Sequence, residues 1–460
     1  MAIPTAPPKK GIFPRAVPFI IGNEAAERFS FYGMRSILST FLVAQFFNPT
    51  NNPALQTTAD AQANDQVHFF VALAYFMPLI GGIAADWIFG KYKVILYVSI
   101  VYCVGHAFLA AFDTNLPWFT YGLLLIAVGA GGIKSSVSAN VGDQFDQSNK
   151  HLMSKVYGWF YFSINAGSVV ATVLIPYLYA NYGASVAFGV PGILMALATL
   201  IFWSGRKRYV RMPPVGIAQG FRQTFQPEGM KAIGRILLVF MFIPVFWALW
   251  DQNLSEWVLQ ATKLDREIWS GFTVLPEQVQ TVNPFFLVTM IPIFTYGIYP
   301  AVERLGINFT PLRRIGTGLL LTGLSFVVIA LVQERIDLGE QPSVWWQVLA
   351  YLILSAGEVL VSITGLEYAY THSPKAMKSF MTAVWLLTVS AGNLFVSMMN
   401  GSIATGGFFA RFKGADYDWF FVGLMGVNFL LFVIISVFLK ERNYVAEAET
   451  AEQLSAKTDV

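Results

Sequence analysis

GRKRYVRMPPVG, residues 205–216, is where the chain divides. Arg206, Lys207, Arg208 and Arg211 give it a basic charge that a lipid interior would not tolerate, and two prolines then interrupt any helix. Apolar runs flank it on both sides. Before it they lie at roughly 17–47, 67–90, 93–112, 117–141, 155–180 and 184–205; after it, at 233–261, 283–302, 311–333, 344–371, 378–404 and 417–440. About twenty apolar residues cross a bilayer as a helix, whereas a barrel would show short alternating segments. The expected fold class is therefore an all-α membrane protein of twelve transmembrane helices in two six-helix bundles.

Composition agrees. Of 460 residues 55% are hydrophobic and 12% charged, with a mean hydropathy of +0.55; soluble domains average about 25% charged. The single cysteine, Cys103, leaves no internal disulfide and no cysteine metal cluster. The first apolar run is long and charged, which argues against a cleavable signal peptide. Of the 30 Lys and Arg, 22 fall in segments on one side of the membrane, the side of the termini and of the 205–216 stretch. The positive-inside rule makes that side cytoplasmic. The expected division is a cytoplasmic N-terminus (1–16), an N-terminal bundle (17–205), a cytoplasmic linker (206–232), a C-terminal bundle (233–440) and a polar, disordered cytoplasmic tail (441–460).

An even split by a basic linker suggests the major facilitator fold, with two bundles related by an axis along the membrane normal. GIAADWIFGK (82–91) fits its glycine, aspartate, glycine and basic pattern through Gly82, Asp86, Gly90 and Lys91. The pattern reads as support for gating rather than substrate contact.

The first run also contains NEAAERFSFYGMR (23–35), with four charges. At 100° per residue Glu24, Arg28 and Arg35 fall within about 40° of one another, with Glu27 and Tyr32 beside them. Ionisable groups in a membrane must pair or meet water, so this face looks onto a cavity or another polar helix. Other spans supply Lys134, His68, Tyr75, Asn165, Asp251, Glu256, Asn283 and Glu358. Counting along each span sorts them by depth. Glu24, Glu27, Arg28, Lys134 and Glu358 form an inner-to-central group; Arg35, His68 and Asp251 form an outer one. Trp247 and Trp385 are the aromatic candidates for cavity walls. His68, His106, His151 and His372 are dispersed without ligand spacing, and GAGGIK (129–134) lacks the spacing of a phosphate loop. The reading is therefore not an enzyme, with no metal or cofactor and no nucleic-acid partner.

Glu24, Glu27, Arg28, Phe29, Tyr32 and Gly33 resemble the first-span signature of the proton-coupled oligopeptide transporters, with Phe31 where that family usually has tyrosine. GAGGIKSSVSANVGDQF (129–145), FYFSINAGS (160–168), FWALWDQNLSEWVLQA (246–261) and the stretch 357–393 resemble further signatures of the family, with Ser135 in place of a usual proline. The short linker implies that the two additional helices of many bacterial members are absent. The resemblance implies a bacterial inner-membrane symporter, acting as a monomer, that takes up di- and tripeptides with protons as coupling ion. In it Arg35 and Lys134 would hold the peptide carboxylate, Glu358 with Asn165 and Asn283 the ammonium, Tyr32 and Tyr75 would donate to the backbone or the carboxylate, and apolar walls including Trp247 and Trp385 would meet the side chains. Coupling needs titratable groups whose pairing changes with conformation, and two sets are expected to serve: Glu24, Glu27, Arg28, Lys134 and Glu358, where protonation of a carboxylate frees Lys134 from its acid to bind peptide, and an outer entry pair of His68 and Asp251 for which Arg35 competes. The alternative is the same fold moving another small solute: nitrate, an amino acid or a drug.

Overall fold

A computed structural model describes residues 13–145, 152–225, 227–372 and 378–439. The expected tail (441–460) and most of the expected N-terminus lie outside the described residues.

The N-terminal half contains α1 (Val17–Gln45), α2 (Ala59–Ile83), α3 (Lys91–Ala111), α4 (Leu116–Gly142), α5 (Met153–Tyr182) and α6 (Ala184–Ser204). The linker carries a short amphipathic helix, α7 (Ile217–Thr224). The C-terminal half contains α8 (Pro227–Phe240), α9 (Ile243–Trp250), α10 (Glu256–Ala261), α11 (Val282–Ile293), α12 (Tyr299–Arg304), α13 (Pro311–Asp337), α14 (Trp345–Glu358), α15 (Thr364–Thr371), α16 (Lys378–Ala404) and α17 (Ala415–Phe438). Among the described residues eleven helical stretches are long and apolar enough to cross a membrane, from Ala59–Phe89 to Ala415–Phe438. α1 is as long as these and is set apart by its charges.

Local chemistry starts and breaks these helices. Asn115 and Thr310 cap α4 and α13 by accepting from the N–H groups of Trp118 and Arg313. Pro244, in the first turn of α9, interrupts the ladder inherited from α8, so the seventh span is α8, α9, a tight turn at Asp251–Leu254 and α10. Single wide turns at Ala84–Phe89, Phe294–Ile298 and Val359–Ile363 follow α2, α11 and α14. The last begins directly after Glu358.

The structure corrects several expected boundaries. α2 begins at Ala59 rather than 67, because the polar lead ADAQANDQ is helical and bonds to the other bundle instead of sitting in lipid. α8 begins inside the expected linker, at Pro227. An antiparallel hairpin, β1 (Glu267–Trp269) and β2 (Phe272–Thr273), follows α10 and is closed by stacking of Trp269 on Phe272 at 4.5 Å. We call that end of the molecule the hairpin face and the opposite end, with α7, the linker face.

The two larger hydrophobic cores match the two bundles, with a small third cluster of Phe294, Val359 and Leu360 in the C-terminal half. One draws on α1–α6 and includes Phe31, Phe41, Tyr102 and Phe188; the other draws on α8–α17 and includes Phe246, Trp257, Phe326 and Tyr351. Small residues let the site-bearing helices touch. A Cβ on Gly167 of α5 would lie 2.9 Å from the Ala25 carbonyl of α1, and one on Gly357 of α14 would lie 2.9 Å from the Gly318 carbonyl of α13. Gly167→Leu is expected to separate α5 from α1 at a cost of about 1–3 kcal/mol. Thermal unfolding of the purified protein should show a lower midpoint and a smaller monodisperse fraction.

Candidate functional site between the bundles

The charged face of α1 is buried. Arg28 lies between two carboxylates of its own helix, with Nε 3.0 Å from Glu24 Oε1 and Nη2 2.6 Å from Glu27 Oε2. The i,i+4 spacing predicted from the sequence brings Glu24 and Arg28 together. One further oxygen on each acid, Glu24 Oε2 and Glu27 Oε1, has no hydrogen-bond partner among the described residues.

Lys134 of α4 approaches this cluster without pairing to it. Its Nζ sits 3.6 Å from the centre of the Phe31 ring and 4.2 Å from that of Tyr75. It makes no hydrogen bond among the described residues. The field around it is set by Arg28, Glu27, Arg35 and Glu24. The expected exchange between Lys134 and the α1 carboxylates is thus not made in this conformation: Arg28, on the same helix, holds both acids, and two aromatic faces receive the ammonium.

The second group crosses between bundles. Arg35 Nη2 donates to Asp251 Oδ1 at 2.6 Å and contacts the Asp251 carbonyl at 3.3 Å. Asn393 of α16 donates from Nδ2 to Asp251 Oδ2 at 2.6 Å. With its amide N–H so engaged, Asn393 offers Oδ1 to His68 Nδ1, 2.7 Å away. His68 Nδ1 is then the donor, and in the neutral ring Nε2 accepts from Ser255 Oγ at 2.8 Å. The expected direct pair of His68 and Asp251 is corrected: Asn393 stands between them. Arg35, Asp251, His68, Asn393 and Ser255 are each no more than 1% exposed. Asn393→Ala should leave the Asp251 and His68 atoms unpartnered at a cost of about 1–3 kcal/mol. A lower unfolding midpoint, together with a shifted His68 imidazole resonance in a magnetic-resonance spectrum, would register it.

The third group belongs to the C-terminal bundle. Glu358 Oε2 accepts from Trp250 Nε1 at 2.9 Å and from Asn283 Nδ2 at 3.1 Å, and Asn283 also donates to Ser355 Oγ at 3.0 Å. Asn283 was expected here; Trp250 was not. Trp247 and Trp385, expected on the cavity wall, pack instead into the C-terminal core. Their rings lie 6.1 Å apart at 78°, and Phe240 stacks edge-on against Trp385 at 5.2 Å. Asn165 sits two residues before Gly167, on the stretch of α5 that touches α1.

The three groups share one neighbourhood. Tyr32 lies in the combined field of Arg28, Arg35, Glu358 and Glu27, and Tyr75 in that of Tyr32, Asp251, Arg28 and Arg35. Positive groups come mainly from the N-terminal bundle, and Asp251 and Glu358 come from the C-terminal bundle.

Towards the hairpin face further bonds join the bundles. Asn64 donates to Glu256; Ser397 donates to Asp65 at 2.6 Å; Lys263 donates to Asp60 at 3.3 Å; and Ser390 donates to the Ala72 carbonyl at 2.7 Å. α5 joins in through Thr281 and Thr172 at 3.0 Å. The bundles are therefore sealed together on that side.

Comparison with known proteins now decides the family. The model described as "PTR2: POT family" matches residues 92–225 and 215–413. The chain belongs to the POT family. Solved POT-family structures superpose along nearly the whole chain. PepTSo is 37% identical with a TM-score of 0.85, over 92% of this chain and 98% of that one. An auto-inhibited POT-family peptide transporter is 35% identical with a TM-score of 0.85, over 94% and 98%. Among curated relatives, "Solute carrier family 15 member 2" of Mus musculus is 35% identical over 79% of this chain and 56% of its own length. "Peptide transporter family 1" of Drosophila melanogaster is 39% identical over 71% and 48%. The chain spans about half the length of the curated relatives it matches. POT-family membership and the eleven candidate spans among the described residues make this a multi-pass integral membrane protein.

Proposed function

We propose that this POT-family protein is a proton-coupled symporter that takes up di- and tripeptides by alternating access. One observation carries the reading. Among the described residues the N-terminal bundle supplies the cations Arg35 and Lys134, and the C-terminal bundle supplies Glu358 with its partner Asn283. Opposite charges on opposite bundles match a zwitterion, whose two ends would draw the bundles together. A nitrate ion offers nothing for Glu358 to bind. Tyr32 and Tyr75 would meet the peptide backbone, and Asn165 would join Asn283 and Glu358 at the ammonium end.

In this conformation Arg35 is held by Asp251, so peptide carboxylate would first meet Lys134, whose ammonium has no carboxylate partner among the described residues. Opening the hairpin face requires the Arg35–Asp251, His68–Asn393 and His68–Ser255 bonds to break together. A proton delivered to His68 would turn Nε2 from acceptor to donor and change that network; one delivered to Glu24 or Glu27 would loosen Arg28. These are the groups we assign to coupling, with Lys134 and Glu358. The proton is the coupling ion, and no other cofactor enters. We place the linker face, with its basic residues, in the cytoplasm, and the protein in the inner membrane of a bacterium, working as a monomer.

Dialanine binding to the purified protein, followed by thermal shift in competition with nitrate, free alanine and tripeptides, tests the substrate assignment. Di- and tripeptides should compete and the other two should not. Competition by nitrate or alanine as strong as by a tripeptide would exclude it.

A further inference from the structure

A second polar site lies away from the bundle interface, on the linker face of the N-terminal bundle. A cleft of ≈ 200 Å³ opens there between the start of α3, the end of α4 and the linker, lined among others by Lys91, Lys93, Asn140, Asp143 and Arg211. It touches none of the residues assigned above to peptide or proton.

Its donors are arranged for an anion. α3 begins at Lys91 without any side chain capping its first turn, and Lys91, Tyr92 and Lys93 of that first turn line the opening. Lys91 is committed to Asp143, at 2.8 Å, but Lys93 is exposed and makes no ion pair among the described residues. Arg211 is fixed by its Nη2 bond to the Arg206 carbonyl at 2.7 Å and by the Tyr92 ring 3.7 Å from its guanidinium carbon, and its Nε has no partner among the described residues. Asn140 is the independent sign of a ligand. It is 2% exposed, and Gln144 donates to its carbonyl and approaches its Oδ1, which leaves Nδ2 as a buried donor without a partner among the described residues. A buried amide donor left unpaired is costly, and an oxyanion would satisfy it.

The surroundings identify the source of that oxyanion. Phe89 and Met212, on the cleft's rim, are 57% and 49% exposed, and Ile217 and Phe221 of α7 are 61% and 58% exposed. α7 is held beside the cleft: Val215 N–H donates to the Asp86 carbonyl at 2.9 Å, and Gly220 sits against the Trp87 indole, where a Cβ would lie 2.6 Å from it. A phosphate cradle bordered by apolar side chains at the end of membrane-spanning helices fits a headgroup whose acyl chains run along them. We propose that this cleft binds the phosphate of an anionic phospholipid, with Lys93, Arg211, Asn140 and the first turn of α3 as its donors. The bound lipid would tie the linker helix to the N-terminal bundle.

Native mass spectrometry of the full-length protein with added phosphatidylglycerol or phosphatidylcholine tests this. The wild type should retain one phosphatidylglycerol in preference to phosphatidylcholine. Lys93→Gln/Arg211→Gln should weaken that retention by about tenfold, whereas Lys207→Gln, an exposed basic residue outside the cleft, should not. Lys93→Gln alone, at an exposed position, keeps the test independent of folding. Equal retention of the two lipids, or retention unchanged in the double variant, would overturn the proposal. So would displacement of the lipid by millimolar inorganic phosphate, since the cleft would then serve a soluble anion.

Discussion

Asp251→Asn should destabilise the conformation described here by about 3–5 kcal/mol, because it strands a buried guanidinium. Arg35 and Asp251 side chains are each 1% exposed and 2.6 Å apart, and they come from opposite bundles. That cost corresponds to about a hundredfold or greater fall in the population of the state closed at the hairpin face. Uptake of dialanine into proteoliposomes should fall with it. The double variant Arg35→Gln/Asp251→Asn removes both charges and should recover much of the unfolding midpoint, since the Arg35 penalty disappears. It should not recover uptake, because Arg35 is also assigned to the peptide carboxylate. Recovery of both would mean that the pair only fastens the helices.

The second large effect concerns Glu24 and Glu27. Changing both to glutamine leaves Arg28 and Lys134 as neighbouring buried cations without the acids that now hold Arg28 at 3.0 and 2.6 Å. Gradient-driven accumulation of dialanine should drop to the level of empty liposomes, while exchange of labelled for unlabelled dialanine without a gradient persists. That split separates loss of proton coupling from loss of binding. Glu24→Gln alone should have a milder effect, because Glu27 remains with Arg28. If the double variant still concentrates dialanine on a proton gradient, the coupling role belongs elsewhere.

The charged face of α1 was legible because charge in an apolar run is conspicuous and helical geometry is strict. The same reasoning found Lys134, Asp251 and Glu358, and the split by residues 205–216 separated the two bundles. What was missed has physical reasons. Asn393 is neutral, so nothing in a scan for charge points to it, although it bridges Asp251 and His68. Trp250 was passed over for Trp247 because a run of apolar residues does not say which indole faces a carboxylate; the break after Trp250 turns its N–H towards Glu358. The early start of α2 was hidden by its polarity, which serves the other bundle rather than water. Lys134 was expected beside an acid, but Arg28 is closer to both acids and Phe31 offers a ring face instead of a hydroxyl.

All of this rests on the buried acids and bases of the two bundles acting as one peptide- and proton-binding unit. The most direct measurement is uptake of labelled dialanine by proteoliposomes holding the purified protein, with and without an inward proton gradient. The account predicts accumulation above equilibrium only with the gradient, abolished when a protonophore collapses it. Accumulation indifferent to the gradient, or no dialanine flux in either case, would contradict it.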